Sequence, residues 1–149
     1  NNYRVNGINR LLYQLNNTIN KDSLDFKIIT SVKISPFDSV NKWYQDWSYW
    51  LNESLVDYVV VNNYHTDFYE FNYYNSIIER KYTELENLSQ IIIGMNLYDI
   101  NPIHIGNKIL SIRLSMFTNI SLYPYNEYEN MSNWYIPIYK AINFNLNND

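Results

Sequence analysis

The chain has 149 residues, 46% of them hydrophobic, with a formal charge of −4 and a pI near 5.1. That is enough apolar material for a core, while an acidic balance with few, scattered Lys and Arg argues against a surface built to neutralise nucleic-acid phosphates. The absence of cysteine excludes disulfides and thiolate metal sites, and with 3 glycines there is neither a GxGxxG nor a GxxxxGK[ST] loop to cradle phosphate.

Residues 3–20 place Ile8, Leu11, Leu12, Leu15 and Ile19 at helical spacing between polar residues, which predicts an amphipathic helix. Residues 22–25 break it. Residues 26–34 (FKIITSVKI) are β-branched and apolar and predict a strand stopped by Ser35-Pro36, because proline has no amide donor for a ladder. In residues 41–53, Trp43, Trp47 and Trp50 fall at i, i+4 and i+7, one aromatic stripe on a helix that Ser39 or Asn41 could cap. That spacing is the ordinary pattern of a helix packed on a core, although a row of indoles also suits a sugar platform.

A second strand is predicted over residues 56–62, followed by a long helix over 67–87 with Phe71, Tyr74, Ile78, Tyr82 and Leu85 on one face. Residues 89–97 (SQIIIGMNL) predict a third strand. Asn101-Pro102 opens a short helix with Ile105, Ile109 and Ile112 inward, and residues 116–122 (MFTNISL) give a fourth strand. A last helix begins near Pro137 and runs into an Asn-rich tail. No apolar run approaches the roughly 20 residues that span a bilayer as a helix. The alternation of strands and helices is α/β, and the nearly continuous apolar strands predict parallel pairing with both faces buried. Four such strands could form a small open sheet or half of a closed (β/α)8 barrel.

Five segments, in order, resemble the bacterial family called glycoside hydrolase-like family 10, whose members are mostly exported proteins or lipoproteins. YRVNGINRLLYQL is similar to its helix after strand four, with Arg4, Asn9 and Arg10 in matching places. VKISPF is similar to strand five, and WYQDWSYWLNESLVDYVVVNNY to the Tyr-x-Asp-Trp helix that leads into strand six, matched by Tyr44, Asp46, Trp47, Trp50, Asp57 and Tyr64. IIIGMNLY, with Gly94, is similar to strand seven, and ISLYPY, with Ser121 and Tyr125, to strand eight. The chain departs from the family at Val61 and Asn62, where Pro then Gln or Met is usual, in the short loop at residues 38–42, and at Pro124. The resemblance implies that residues 1–149 are one partial barrel domain, the C-terminal half of a (β/α)8 TIM barrel holding strands five to eight.

In such a barrel the site lies at the C-terminal ends of the strands. The residues to weigh there as substrate contacts are Ser35, Asn62, Tyr64, His65, Asn96, Tyr98, Tyr123 and Tyr125. Tyrosine rings stack on pyranoses and amides bind hydroxyls, although the same residues suit an ordinary polar rim. Glycosidic hydrolysis ordinarily takes two carboxyl groups; the resemblance puts the main acid upstream of Asn1, leaving Asp67 and Asp99 as candidate catalytic partners. Either could instead cap the next helix. His65 and His104 stand singly without HExxH spacing, so no metal is expected, and no cofactor.

The implied function is hydrolysis of a bacterial cell-wall or related amino-sugar glycan. A polysaccharide or oligosaccharide is the implied partner, and nucleic acid is not. Export to the periplasm, cell surface or medium is implied as well, with any lipid anchor upstream. The alternatives are a non-catalytic glycan-binding surface lipoprotein and a flavodoxin-like binding module.

Overall fold

The computed structural model describes residues 2–21, 25–82, 88–98, 100–123 and 132–144. In chain order these form α1 (Asn2–Lys21), β1 (Ile29–Lys33), α2 (Pro36–Trp43), α3 (Trp47–Asn52), β2 (Tyr58–Asn62), α4 (Phe68–Tyr82), β3 (Ile91–Asn96), α5 (Pro102–Arg113), β4 (Asn119–Tyr123) and α6 (Ile136–Ile142). A 3-10 turn precedes β3 at Leu88–Gln90 and another precedes α6 at Ser132–Tyr135. The four strands make one parallel sheet in the order β1-β2-β3-β4, each crossover returning beside the strand it left. This is a mixed α/β architecture compatible with part of a barrel.

The sheet has two unlike faces. Val32, Val59, Val61, Ile91, Ile93 and Met95 are buried in a cluster with Trp47 and Trp50 of α3, Phe71, Ile78 and Tyr82 of α4, and Ile105, Ile109 and Ile112 of α5. The alternate residues form an open face: Ile29, Ser31 and Lys33 of β1 are exposed, while Tyr58, Val60, Asn62, Ile92, Asn96 and Ser121 are half-buried. Among the described residues, then, helices bury one face and leave the other half-buried to exposed. Val60 and Ile92 make the apolar runs continuous, but the residues in phase with them, Ser31, Lys33, Asn62, Asn119 and Ser121, are polar.

The strands are also shorter than expected. Asp57 draws the chain before β1 into line by accepting the Ile28 amide at 2.7 Å while paired to Lys27 at 3.0 Å. Before β4 the Met116 amide is taken by Glu79 of α4 at 2.7 Å and the Phe117 amide by Ser115, so neither joins the ladder.

The single helix expected over residues 41–53 is two short ones. Pro36 stops β1 and at once supplies the first turn of α2, whose N-cap is Ser35, its Oγ accepting from Asp38 N. Tyr44, in the left-handed region at φ 58°, ends α2, and Asp46 starts α3 by accepting the Tyr49 amide. Trp43 thus leaves the expected stripe and is 52% exposed, whereas Trp47 and Trp50 are buried. Ser39 and Asn41 bond to Lys33 O and Phe37 O instead of capping. On α1, Asn9 accepts the buried Trp50 indole N–H at 2.7 Å and Arg4 donates to Tyr44 Oη, so the family-like polar residues dock this helix on α2 and α3. Leu12 is buried and Ile8 and Ile19 pack on the core, but Leu11 and Leu15 of the expected stripe are exposed.

Gln45 treats the outer edge of β1 as a neighbouring strand would. Its Oε1 accepts Lys33 N–H at 3.0 Å and its Nε2 reaches Ser31 O at 3.5 Å, the two outward groups that a parallel partner residue would join.

Candidate functional site

Register places Lys33, Asn62, Gly94 and Ser121 side by side in one layer across the C-terminal end of the open face, with Asn96 and Tyr123 paired in the next. The Asn62 amide reaches across to β1 and back by one layer, its Nδ2 donating to Ser31 Oγ, which is in register with Val60, at 2.8 Å. A Cβ on Gly94 would stand 2.9 Å from Val60 Cγ1 and 3.0 Å from Asn62 Oδ1. Gly94 therefore makes the room in which the Asn62 amide rests.

Past β2 the alternation of faces continues into the loop. Tyr64 follows Asn62 by two residues and is 44% exposed. Burial, and then the neighbouring Tyr123 phenol, push the Tyr64 phenol above its ordinary value. Asn63 and His65 turn instead toward the helices. Asn63 is buried, and its Nδ2 donates to Phe71 O at 2.9 Å and to Asn75 Oδ1 at 2.8 Å. A backbone carbonyl only accepts, so this end of the amide is the nitrogen and Oδ1 faces His65 Nδ1 at 2.9 Å. The proton is thus assigned to His65 Nδ1, with the ring stacked on Tyr74 at 4.4 Å between centroids.

Lys108 of α5 holds the same loop from the other side, its Nζ donating to His65 O at 2.6 Å and Thr66 O at 3.0 Å. Its burial pulls the ammonium below its ordinary value, with nearby Asp67 opposing. Asp67 is the N-cap of α4, accepting the Glu70 amide at 2.9 Å. It also lines a cleft of about 610 Å³ with Thr66, Phe68, His104, Asn107 and Lys108, none of which belongs to the sheet.

Of the residues expected from sequence, the open face brings together Asn62, Tyr64, Asn96 and Tyr123. Asn96 Oδ1 accepts the Tyr98 amide at 2.9 Å, turning the chain so that Tyr98 is exposed just beyond β3. Ser35 caps α2, His65 is engaged on the helix side, and Asp67 lies in the α4–α5 cleft apart from the layer of Asn62. Asp99 and Tyr125 lie outside the described residues. Sequence reasoning missed Ser31, Lys33 and Lys108. The signal for the first two was present, since both flank Val32 and so must face away from it. No sheet residue on the open face is acidic, and among the described residues no group of three or more His, Asp or Glu side chains could hold a metal ion. No described helix is long and apolar enough to cross a membrane.

A family model described as glycosyl hydrolase-like 10 matches residues 1–110, which run from α1 into α5 and take in three of the four strands. No curated protein and no solved structure matches the chain.

Proposed function

Because this chain belongs to the glycosyl hydrolase-like 10 family, we propose that it supplies strands five to eight of a (β/α)8 barrel that hydrolyses a cell-wall or related amino-sugar glycan. The observation that carries this reading is the one-sided sheet. A flavodoxin-like module reverses its strand order and covers both faces with helices, whereas these strands run in simple succession with a polar face left open. Inward residues at strand C-termini are where a barrel does its chemistry. Asn62, Asn96 and Ser121 bind sugar hydroxyls there, and Tyr64, Tyr98 and Tyr123, with Tyr125, supply ring faces.

Two carboxyl groups roughly 5 to 10 Å apart carry out glycosidic hydrolysis in most such enzymes. No sheet residue on the open face is acidic, and the resemblance to the family puts the main acid on strand four upstream, with Asp67 or Asp99 as its partner. The same lack of an acidic residue favours a second reading, a non-catalytic barrel that binds glycan. Export to the cell surface or beyond goes with either.

The test is to read the coding sequence upstream of Asn1 and to incubate the encoded protein with peptide-stripped cell-wall glycan while following new reducing ends. A fourth strand ending in Asp or Glu together with reducing-end release supports the hydrolase. Binding without release, and no such carboxylate, supports the binder. Upstream sequence without strands refutes the barrel.

A further inference from the structure

The helices that lead into and out of β3 part near their N-terminal ends, leaving the cleft of about 610 Å³ that Asp67, His104, Asn107 and Lys108 line. Phe68 walls this cleft and also borders a second hollow, of about 380 Å³, on the outward side of α4 with Tyr69, Asn72, Tyr73 and Ser76. The two hollows therefore meet at one ring. Because β3 is an inner strand, a strand pairing at either edge of the sheet does not come between α4 and α5.

Helix α4 packs inward through Phe71, Asn75, Ile78 and Tyr82, all of them buried. Outward helix positions are ordinarily charged or polar, yet Tyr69 is 86% and Tyr73 58% exposed, one turn apart on the same side. Packing on the core does not account for rings placed there, and a cluster of exposed rings marks an interaction surface.

The polar groups of the cleft narrow the class of ligand. Lys108 only donates, and two of its three N–H groups go to His65 O and Thr66 O. The Asp67 carboxylate only accepts, and it takes the Glu70 amide. An anion in this cleft is opposed by Asp67 and a cation by Lys108, whereas a hydroxyl can donate to the one and accept from the other. Neutral sugars carry such hydroxyls around their edges and apolar C–H faces that lie on aromatic rings. Both hollows have the size of a small-ligand site, roughly 300–1,000 Å³, which suits a few sugar rings better than the broad face of a protein partner.

We propose that the α4–α5 cleft and the adjoining tyrosine face of α4 form a second saccharide site, on the helix side of the sheet, that holds a neutral stretch of glycan. This goes beyond the open-face reading and does not depend on it.

The test is calorimetric titration of the full chain with two neutral hexasaccharides, of β-1,4-linked glucose and of β-1,4-linked N-acetylglucosamine, with amide NMR shifts mapping where each binds. At least one hexasaccharide binds and shifts the amides of Thr66, Phe68, Tyr69 and Asn107. Tyr69→Ala, Tyr73→Ala and Asn107→Ala, all at exposed positions, each weaken this binding about tenfold, the effect of losing roughly 50 Å² of apolar contact or one hydrogen bond. Asn62→Ala, on the open face, leaves it unchanged. Binding lost only in Asn62→Ala overturns the proposal and leaves the open-face reading standing. Binding of neither hexasaccharide overturns the proposal, while reducing-end release from cell-wall glycan judges the open-face reading separately. If Tyr69→Ala and Tyr73→Ala alter only self-association in sedimentation, the tyrosine face docks a second copy of the chain and the proposal fails.

Discussion

Replacing Gly94 by alanine sets two physical effects of opposite sign against each other. Its φ is not in the left-handed region, so a Cβ is compatible with the backbone, and the less flexible unfolded chain alone would stabilise the protein by about 0.4–1 kcal/mol. Against this, the new methyl meets Val60 Cγ1 at 2.9 Å and Asn62 Oδ1 at 3.0 Å, with Val61 O at 3.4 Å behind them. Val60 is β-branched on a central strand and has little freedom to move. Asn62 yields, and its bond to Ser31 Oγ is lost. Overpacking of this kind costs about 1–3 kcal/mol and the hydrogen bond about 0.5–1.5 kcal/mol. Gly94→Ala therefore destabilises the chain by about 1–3 kcal/mol, read as a lower urea midpoint at unchanged slope. The Asn62 side-chain NH2 resonances shift with it. In an Asn62→Ala background the penalty falls by the part that Asn62 causes, which a double-mutant cycle isolates. A neutral or stabilising Gly94→Ala with unmoved Asn62 resonances refutes the argument that Gly94 is there to seat this amide.

Tyr82, stacked on Trp47 and hydrogen-bonded to Ser48, has its phenol pushed up to about 12, mainly by burial. A raised folded-state value contributes stability that is complete below the ordinary value near 10 and is lost as pH rises toward 12. Denaturation midpoints should fall across that window, by on the order of 2 kcal/mol in stability, and Tyr82→Phe should flatten the slope; equal slopes in both proteins would contradict it. Lys108→Met leaves the carbonyls of His65 and Thr66 without their donor and should cost about 1–3 kcal/mol, with faster amide exchange in the loop after β2. No change in exchange or stability would mean that water replaces the ammonium. Gln45→Ala bares the outer edge of β1 and should raise self-association in sedimentation, whereas an unaltered profile would show that this edge needs no cover.

The order of strands and helices was legible because each strand is a short β-branched or apolar run bounded by a breaker, and because Ile105, Ile109 and Ile112 repeat at helical spacing and are all buried. The unlike faces of the sheet were written in the same residues, but Val60 and Ile92 fill gaps in the alternation and hide it. The break after Trp43 was not legible. It depends on Tyr44 adopting a left-handed conformation that sequence signals reserve for Gly or Asn. At the site, Asn62, Tyr64 and Asn96 could be named from their places at strand ends, and Asp67 could be weighed as a helix cap, which is what it does. Lys108 could not be found this way. Its place three residues after Ile105 and four before Ile112 puts it on the inward stripe, but the carbonyls it holds lie more than 40 residues away and no sequence pattern names them.

The loop after β2 sorts chemistry from scaffolding by the same period of two that builds the strand. Asn62 and Tyr64 fall to the open face, while Asn63 and His65 fall to the helices, where a buried amide, a stacked ring and a lysine fix the backbone that carries Tyr64. A residue at a strand end is thus assigned by parity as well as by proximity. Parity sets His65 on the supporting side although it follows Tyr64 directly, and it brings Lys33 into the mouth layer although no motif marks it. Asp67 is placed by a different rule, the need of α4 for an N-cap, which ties its carboxylate to the Glu70 amide in the α4–α5 cleft. No sheet residue on the open face is acidic, so the surface around Asn62 offers amides, hydroxyls, an ammonium and tyrosine rings, and its polarity comes from parity along the strands and not from any motif.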